Sequence, residues 1–173
     1  EIDLKRSGTF WFSETPDDSS SGDQWDGNYK RLCTYIYLID IDSGLGIYVF
    51  NNHWTYQRDS RQEKHAILLS QMVNEIAKSE PWVAIGDFNT TDRYKAYGYL
   101  TGKEKLDNKM TEKVFIDSYK DFHGNIPKNS GTFHDYSGFK HLERIDFIFS
   151  ELGTCKTKNS FIVYDNIDKE FPS

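Results

Sequence analysis

Apolar and polar positions along the chain change period several times, and each change marks an element. Thr9-Phe10-Trp11-Phe12 reads as a strand, and Ser13-Glu14-Thr15-Pro16 leads out of it. The polar run Asp17 to Gly22 reads as an exposed loop. Arg31 to Asp40 alternates imperfectly but is rich in Tyr, Ile and Thr, which suits a second strand. Ser43-Gly44 turns the chain into a more apolar third strand, Gly46 to His53. The period then lengthens. Ser60-Arg61-Gln62-Glu63 has the form of a capping box, and Ala66, Leu69, Met72, Val73 and Ile76 form one helical stripe. Pro81 blocks continuation, and Trp82-Val83-Ala84-Ile85-Gly86 follows as the short continuous apolar run of a buried strand.

A helix between two buried strands predicts a parallel crossover. The carboxyl ends of both strands then share one edge of the sheet, where α/β proteins place their ligands. Those ends carry Asn51-Asn52-His53 and Asp87-Phe88-Asn89, so polar groups distant in sequence should converge. The C-terminal third is less regular. Val114 to Tyr119, Gly131 to Tyr136 and Phe161 to Tyr164 are candidate strands, and Glu143 to Phe149 is a clearer one. The pattern as a whole predicts a mixed α/β domain with more strand than helix.

Composition narrows this picture. At 173 residues, 37% hydrophobic and 16% aromatic, the chain suits one domain with a substantial core rather than a disordered segment. A net charge of -6 argues against holding nucleic acid through a general basic field, but leaves a phosphate substrate open, because a divalent cation can invert the local sign. Two cysteines, Cys33 and Cys155, are too few for a disulfide framework or a zinc site, although a single bridge between them stays open. No run is long and apolar enough to span a membrane.

The chemistry-bearing candidates sit at the strand ends. Asp87 and Asn89 could offer a carboxylate and an amide to one point, with Gly86 permitting a close approach; a plain turn with an Asx hydrogen bond is the competing reading. His53 could serve as general acid or donate to a phosphoryl oxygen, or could be a structural strand-end residue. Asp146, in an otherwise apolar strand, needs a partner if buried. Either Arg144 supplies it two residues away, or Asp146 orients a catalytic histidine from elsewhere. His134 reads as closing a turn, and His65 and His141 have no evident partner. There is no phosphate loop and no nucleophile elbow. Asn89-Thr90-Thr91 is formally a glycosylation sequon, discounted because a sugar there would block the site.

Taken in order, several segments resemble the endonuclease/exonuclease/phosphatase superfamily of deoxyribonuclease-like metal-dependent phosphoesterases. They are Gly8 to Pro16, Trp25-Asp26 with Arg31 to Tyr35, Phe50-Asn51-Asn52-His53, Arg61, Gly86-Asp87-Phe88-Asn89, Gly131-Thr132-Phe133 and Arg144 to Ile148. The resemblance implies a four-layer sandwich of two mixed β-sheets flanked by helices. It implies that His53 assists at the phosphate, that Asp87 and Asn89 orient water, phosphate or metal, and that Asp146 supports a terminal catalytic histidine. Arg31 and Asn51 become candidate substrate-binding residues, and Mg²⁺ or Mn²⁺ the expected cofactor, held in part by Asp87 and Asn89.

Three departures qualify the resemblance. The family's early metal-binding Glu has no counterpart here, and its closing Asp-His would follow Ser173. Thr55 stands where many members carry an Asp. The expectation is therefore one domain over residues 1–173 that lacks its N-terminal part and its C-terminal end, inactive as it stands, from an active parent. The alternative is an inactive binding or scaffolding module that keeps the fold. A small or lipid-like phosphoester suits the acidic balance better than long DNA. Trp11, Trp25 and Trp54 are possible stacking groups, no stable protein partner is implied, and a monomer is expected. The compartment is open beyond a soluble protein, with a bacterial secreted or periplasmic setting as one option.

Overall fold

The computed structural model describes residues 1–27, 29–135, 143–165 and 167. Six strands form one mixed sheet: β1 (Ile2–Trp11), β2 (Leu32–Asp40), β3 (Gly46–His53), β4 (Trp82–Asp87), β5 (Phe115–Asp117) and β6 (Asp146–Glu151). Their order is β1-β2-β3-β4-β6-β5. Only β3 and β4 run parallel, and they are joined by helix α1 (Ser60–Ala77), which is the expected crossover. Among the described residues there are also two short helices, α2 (Lys95–Leu100) and α3 (Ser118–His123).

Strand pleating decides which face is covered. Phe10, Cys33, Phe50, Ala84 and Phe149 point to one side and are buried beneath α1 and α2. The predicted helical stripe meets them through Ala66, Leu69 and Val73, all at 0% exposure, with Met72 and Ile76 packed at the margin. Met72→Ala there would remove less contact than Leu69→Ala, whose full burial implies a loss of roughly 2–5 kcal/mol. The opposite face carries a half-buried apolar row in register, Ile36, Val49 and Val83, beside Ile85 and the exposed Ile148. In a two-sheet sandwich this is the face that the second sheet covers. The described residues form one sheet and its helices.

Local details depart from the sequence pattern. The helix is capped by Asp59 rather than Ser60: the Asp59 Oδ1 accepts the Arg61 N–H at 2.9 Å. It ends at Ala77 because Lys78 turns to a φ of 52°, before Pro81 is reached. β1 begins at Ile2, well before the predicted Thr9, because pairing with β2 organises a polar edge that has little apolar signal. Val114 to Tyr119 divides into β5 and α3, since Asp117 caps the helix by accepting from the N–H groups of Tyr119 and Lys120. Residues 131–135 and 161–164 form no strand, while Tyr136 and His141 lie outside the described residues. Cys33 is buried in the core, and both cysteines are free thiols.

Candidate active site

Adjacent strands place three candidate residues in one row. His53 of β3 is the register partner of Asp87 of β4, and Asp87 is in turn the partner of Asp146 of β6. Partners directly across a sheet share a face, so the imidazole and both carboxylates project from the uncovered side. The His53 Nε2 lies 3.3 Å from the Asp87 Oδ2. Asn51, two residues before His53, is exposed and projects from the same side.

The segment after β4 is held by its own polar groups. The Asn89 N–H donates to the Asp87 Oδ1 at 2.7 Å, which is the Asx turn that competed with the functional reading. The turn leaves the second carboxylate oxygen facing His53. Asn89 has a φ of 48°, and its Nδ2 donates to the Trp54 carbonyl at 3.0 Å. Its own carbonyl accepts from Arg58 Nε and Gln62 Nε2, each at 2.9 Å. Trp54 and Phe88 are fully buried and their rings lie 4.9 Å apart, so Trp54 is core and not a stacking platform. Thr55 is also fully buried, and its Oγ1 accepts the Gln57 N–H at 3.3 Å. It shapes the loop after β3.

Gly86 is required here. Its φ is 128°, and a Cβ would stand 2.0 Å from the Asn52 carbonyl oxygen. The close approach that glycine permits is to the neighbouring backbone. Asn52 itself turns into the core side and donates from Nδ2 to the Ile85 carbonyl at 2.8 Å.

Asp146 needs a correction. It opens β6 rather than lying in its middle, and it is exposed, so the argument from buried charge does not apply. Nor is Arg144 its partner. Arg144 is buried and forks onto Asp117, with Nη1 and Nη2 at 3.0 and 2.6 Å from the two carboxylate oxygens. Its guanidinium also lies 4.4 Å from the Phe147 ring centroid. What fixes the start of β6 is Thr132, whose Oγ1 accepts the N–H groups of both Ile145 and Asp146 at 3.0 Å. The Glu143 carbonyl reciprocates by accepting from the N–H groups of Thr132 and Phe133.

That stitching brings in a residue the sequence pattern dismissed. His134 lines a cleft of about 520 Å³ together with Asp87, Thr132, Asp135 and Asp146. It sits in an irregular loop with no periodic signal, and its place depends on the hydrogen bonds of Thr132. A second cleft, about 330 Å³, adjoins the row on its other flank and is lined by Lys30, Arg31, Thr34, Asn51, His53 and Asp87. Arg31, Asn51, His53, Asp87 and Asp146 thus line the two clefts, while Asn89 lines neither.

Electrostatics in the row are those of crowded acids. Burial raises the Asp87 carboxyl above its ordinary value, and the Asp146 charge adds to this; the Asn89 N–H, His53 and Arg31 pull the other way. A cation between the carboxylates would relieve that repulsion. The available donors are hard oxygens from Asp87 and Asn89, and among the described residues no group of three or more His, Cys, Asp or Glu could hold a metal ion. Mg²⁺ and Mn²⁺ use one or two carboxylates with water and substrate phosphate, whereas a structural zinc site takes four protein ligands.

The chain belongs to the endonuclease/exonuclease/phosphatase family, whose model matches residues 7–164. It is similar to a solved member from Bacteroides vulgatus at 30% identity, with a TM-score of 0.73 over 87% of this chain and 55% of that one. It is also similar to a mannosyl-6-phosphatase from Bacteroides thetaiotaomicron, at 25% identity and a TM-score of 0.64, covering 88% of this chain and 54% of that one. The D. rerio protein TDP2, solved with a single-strand DNA product, shares the fold at 14% identity and a TM-score of 0.60, over 98% of this chain and 63% of that one. No curated protein matches. The chain spans about half the length of the two Bacteroides relatives. Among the described residues no helix is long and apolar enough to cross a membrane.

Proposed function

We propose that the domain this chain contributes to hydrolyses phosphoester bonds with the help of Mg²⁺ or Mn²⁺, acting as a monomer. The observation that carries the reading is the row His53–Asp87–Asp146, set by strand register on three neighbouring strands. In the reaction a water oxygen bonds to phosphorus as the ester P–O bond breaks, and the leaving oxygen departs with a proton. Asp87 and Asn89 orient the water and the phosphoryl group. His53 donates a hydrogen bond to a phosphoryl oxygen, and Arg31 and Asn51 bind the same anion from the adjoining cleft. Asp146 holds a catalytic histidine supplied from outside the described residues. A divalent cation at Asp87 and Asn89 would supply charge neutralisation at the phosphoryl oxygens.

The substrate class first in line is a small phosphomonoester. The acidic net charge disfavours a long polyanion, and one bacterial relative is a mannosyl-6-phosphatase. The test compares this chain with a protein extended at both ends, on p-nitrophenyl and bis(p-nitrophenyl) phosphate, with Mg²⁺ or Mn²⁺ and with EDTA. Activity confined to the extended protein and abolished by EDTA is the expected result. If neither ester is cleaved, and hexose 6-phosphates are not cleaved either, a binding module that kept the fold becomes the better account.

A further inference from the structure

Asp26 is 3% exposed, and its Oδ2 accepts the Arg31 Nε–H at 2.7 Å. An ionised carboxylate withdrawn from water is unfavourable unless a cation and hydrogen bonds compensate it. Here the compensation is one-sided, since the Asp26 Oδ1 is buried and has no partner among the described residues. The acid is therefore matched to one group, the guanidinium of Arg31.

Arg31 is also anchored through the main chain. The Phe12 N–H donates to the Arg31 carbonyl at 2.9 Å, and the Arg31 N–H to the Gly22 carbonyl at 3.0 Å. Inside the loop so closed, the hydroxyls of Ser13 and Ser21 meet at 2.6 Å. A guanidinium has five N–H donors in a rigid fork. Asp26 occupies the Nε–H and leaves those on the two Nη nitrogens, at a side chain that lines the cleft with Lys30, Asn51 and His53. The Arg31 charge reaches Asp87 as well, as one of the influences that hold down its carboxyl.

We propose that Asp26 is a positioning residue that fixes Arg31 as a preorganised clamp for the phosphoryl anion. The inference rests on the phosphoester reading above. A lysine at position 31 could not serve in the same way, because a point charge cannot bond the acid and present a planar fork to the anion together. A guanidinium released from its acid would have to be ordered again each time an anion binds, which weakens binding by ~10-fold.

The test is a double-mutant cycle read by ³¹P NMR titration of inorganic phosphate, using this chain, Asp26→Asn, Arg31→Gln and the double variant. Asp26→Asn is expected to weaken phosphate binding ~10-fold in the wild-type background and not at all in the Arg31→Gln background. In the hydrolytically active protein the same change should raise KM and leave kcat within ~3-fold. Asp26→Glu, which keeps the charge, runs alongside so that poor folding of Asp26→Asn does not end the cycle. An equal loss in both backgrounds would mean that Asp26 only supports the loop, and the positioning role would fall. Intact phosphate affinity in Asp26→Asn, in a protein that still hydrolyses phosphoesters, overturns this inference alone. A wild-type protein that neither binds phosphate nor hydrolyses its esters overturns the phosphoester reading and this inference with it.

Discussion

His53 and Asp87 face each other across the one parallel pair in the sheet, with the imidazole Nε2 3.3 Å from a carboxylate oxygen. They are far apart in sequence, and the helix between them sets their distance. The crossover returns the chain so that the last residues of β3 and β4 coincide. Any function for either residue therefore depends on the packing of α1, although no atom of its apolar stripe needs to touch a substrate.

Asp87 should be the most sensitive position for activity. In the active protein, Asp87→Ala is expected to lower kcat/KM by at least ~100-fold, the scale seen when a group that stabilises a transition state or moves a proton is removed. The fold should survive, because the deleted carboxylate is partly exposed and not packed in the core. Steady-state kinetics paired with circular dichroism decides it. An unchanged rate in a folded variant would remove Asp87 from the mechanism.

Gly86→Ala tests the close approach of β4 to β3. A methyl group 2.0 Å from the Asn52 carbonyl oxygen cannot be accommodated without moving backbone, and a φ of 128° is strained for any L side chain. The expected loss of stability is roughly 3 kcal/mol or more, read from urea denaturation. A loss below about 1 kcal/mol would show that the strands separate easily there.

The edge of the sheet that carries the site is legible in the sequence because two strong apolar runs and an amphipathic helix dictate it. Asn51, His53, Asp87 and Asn89 fall at predictable strand ends for that reason. Asp146 stands at this edge because of its strand and not through buried charge: the pattern starts that strand too early, and Arg144, one of the two partners it offers, is held by Asp117 instead. The pair Arg144–Asp117 spans 27 positions and has no local signal. His134 is illegible for the same cause: hydrogen bonds from Thr132 and Phe133 to Glu143, and to Thr132 from Ile145 and Asp146, place its loop beside Asp146. Asp59 outcompetes Ser60 as helix cap, a difference of one residue that propensity does not resolve, as both types cap well.

Separate roles for Arg144 and Asp146 give a paired prediction. Arg144→Ala leaves the Asp117 carboxylate, which is 4% exposed, without its cation, and should destabilise the fold by about 3–5 kcal/mol. Asp146→Ala removes an exposed side chain and should stay within about 0.5 kcal/mol of wild type while activity falls. Thermal or urea denaturation of both variants separates the two. Similar losses of stability in the two would return Asp146 to a structural role.

His65 should make stability depend on pH in a defined window. It is fully buried, stacked on Phe12 with ring centroids 4.4 Å apart and edged by Trp54. Burial, helped by the Arg31 charge, lowers its pKa from 6.5 to about 3. The unfolded chain therefore takes up a proton below pH 6.5 that the folded protein refuses until about pH 3. Stability from this group is complete above pH 6.5 and declines as pH falls towards 3, by up to about 1.4 kcal/mol per pH unit. Between pH 6.5 and about pH 5 the wild type should lose about 2 kcal/mol that His65→Phe, which keeps the aromatic stack, does not lose. Urea titrations of both proteins at the two pH values measure the difference. Parallel declines would mean that His65 takes up its proton in the folded state as readily as in the unfolded one, and the aromatic cage would then be open to water.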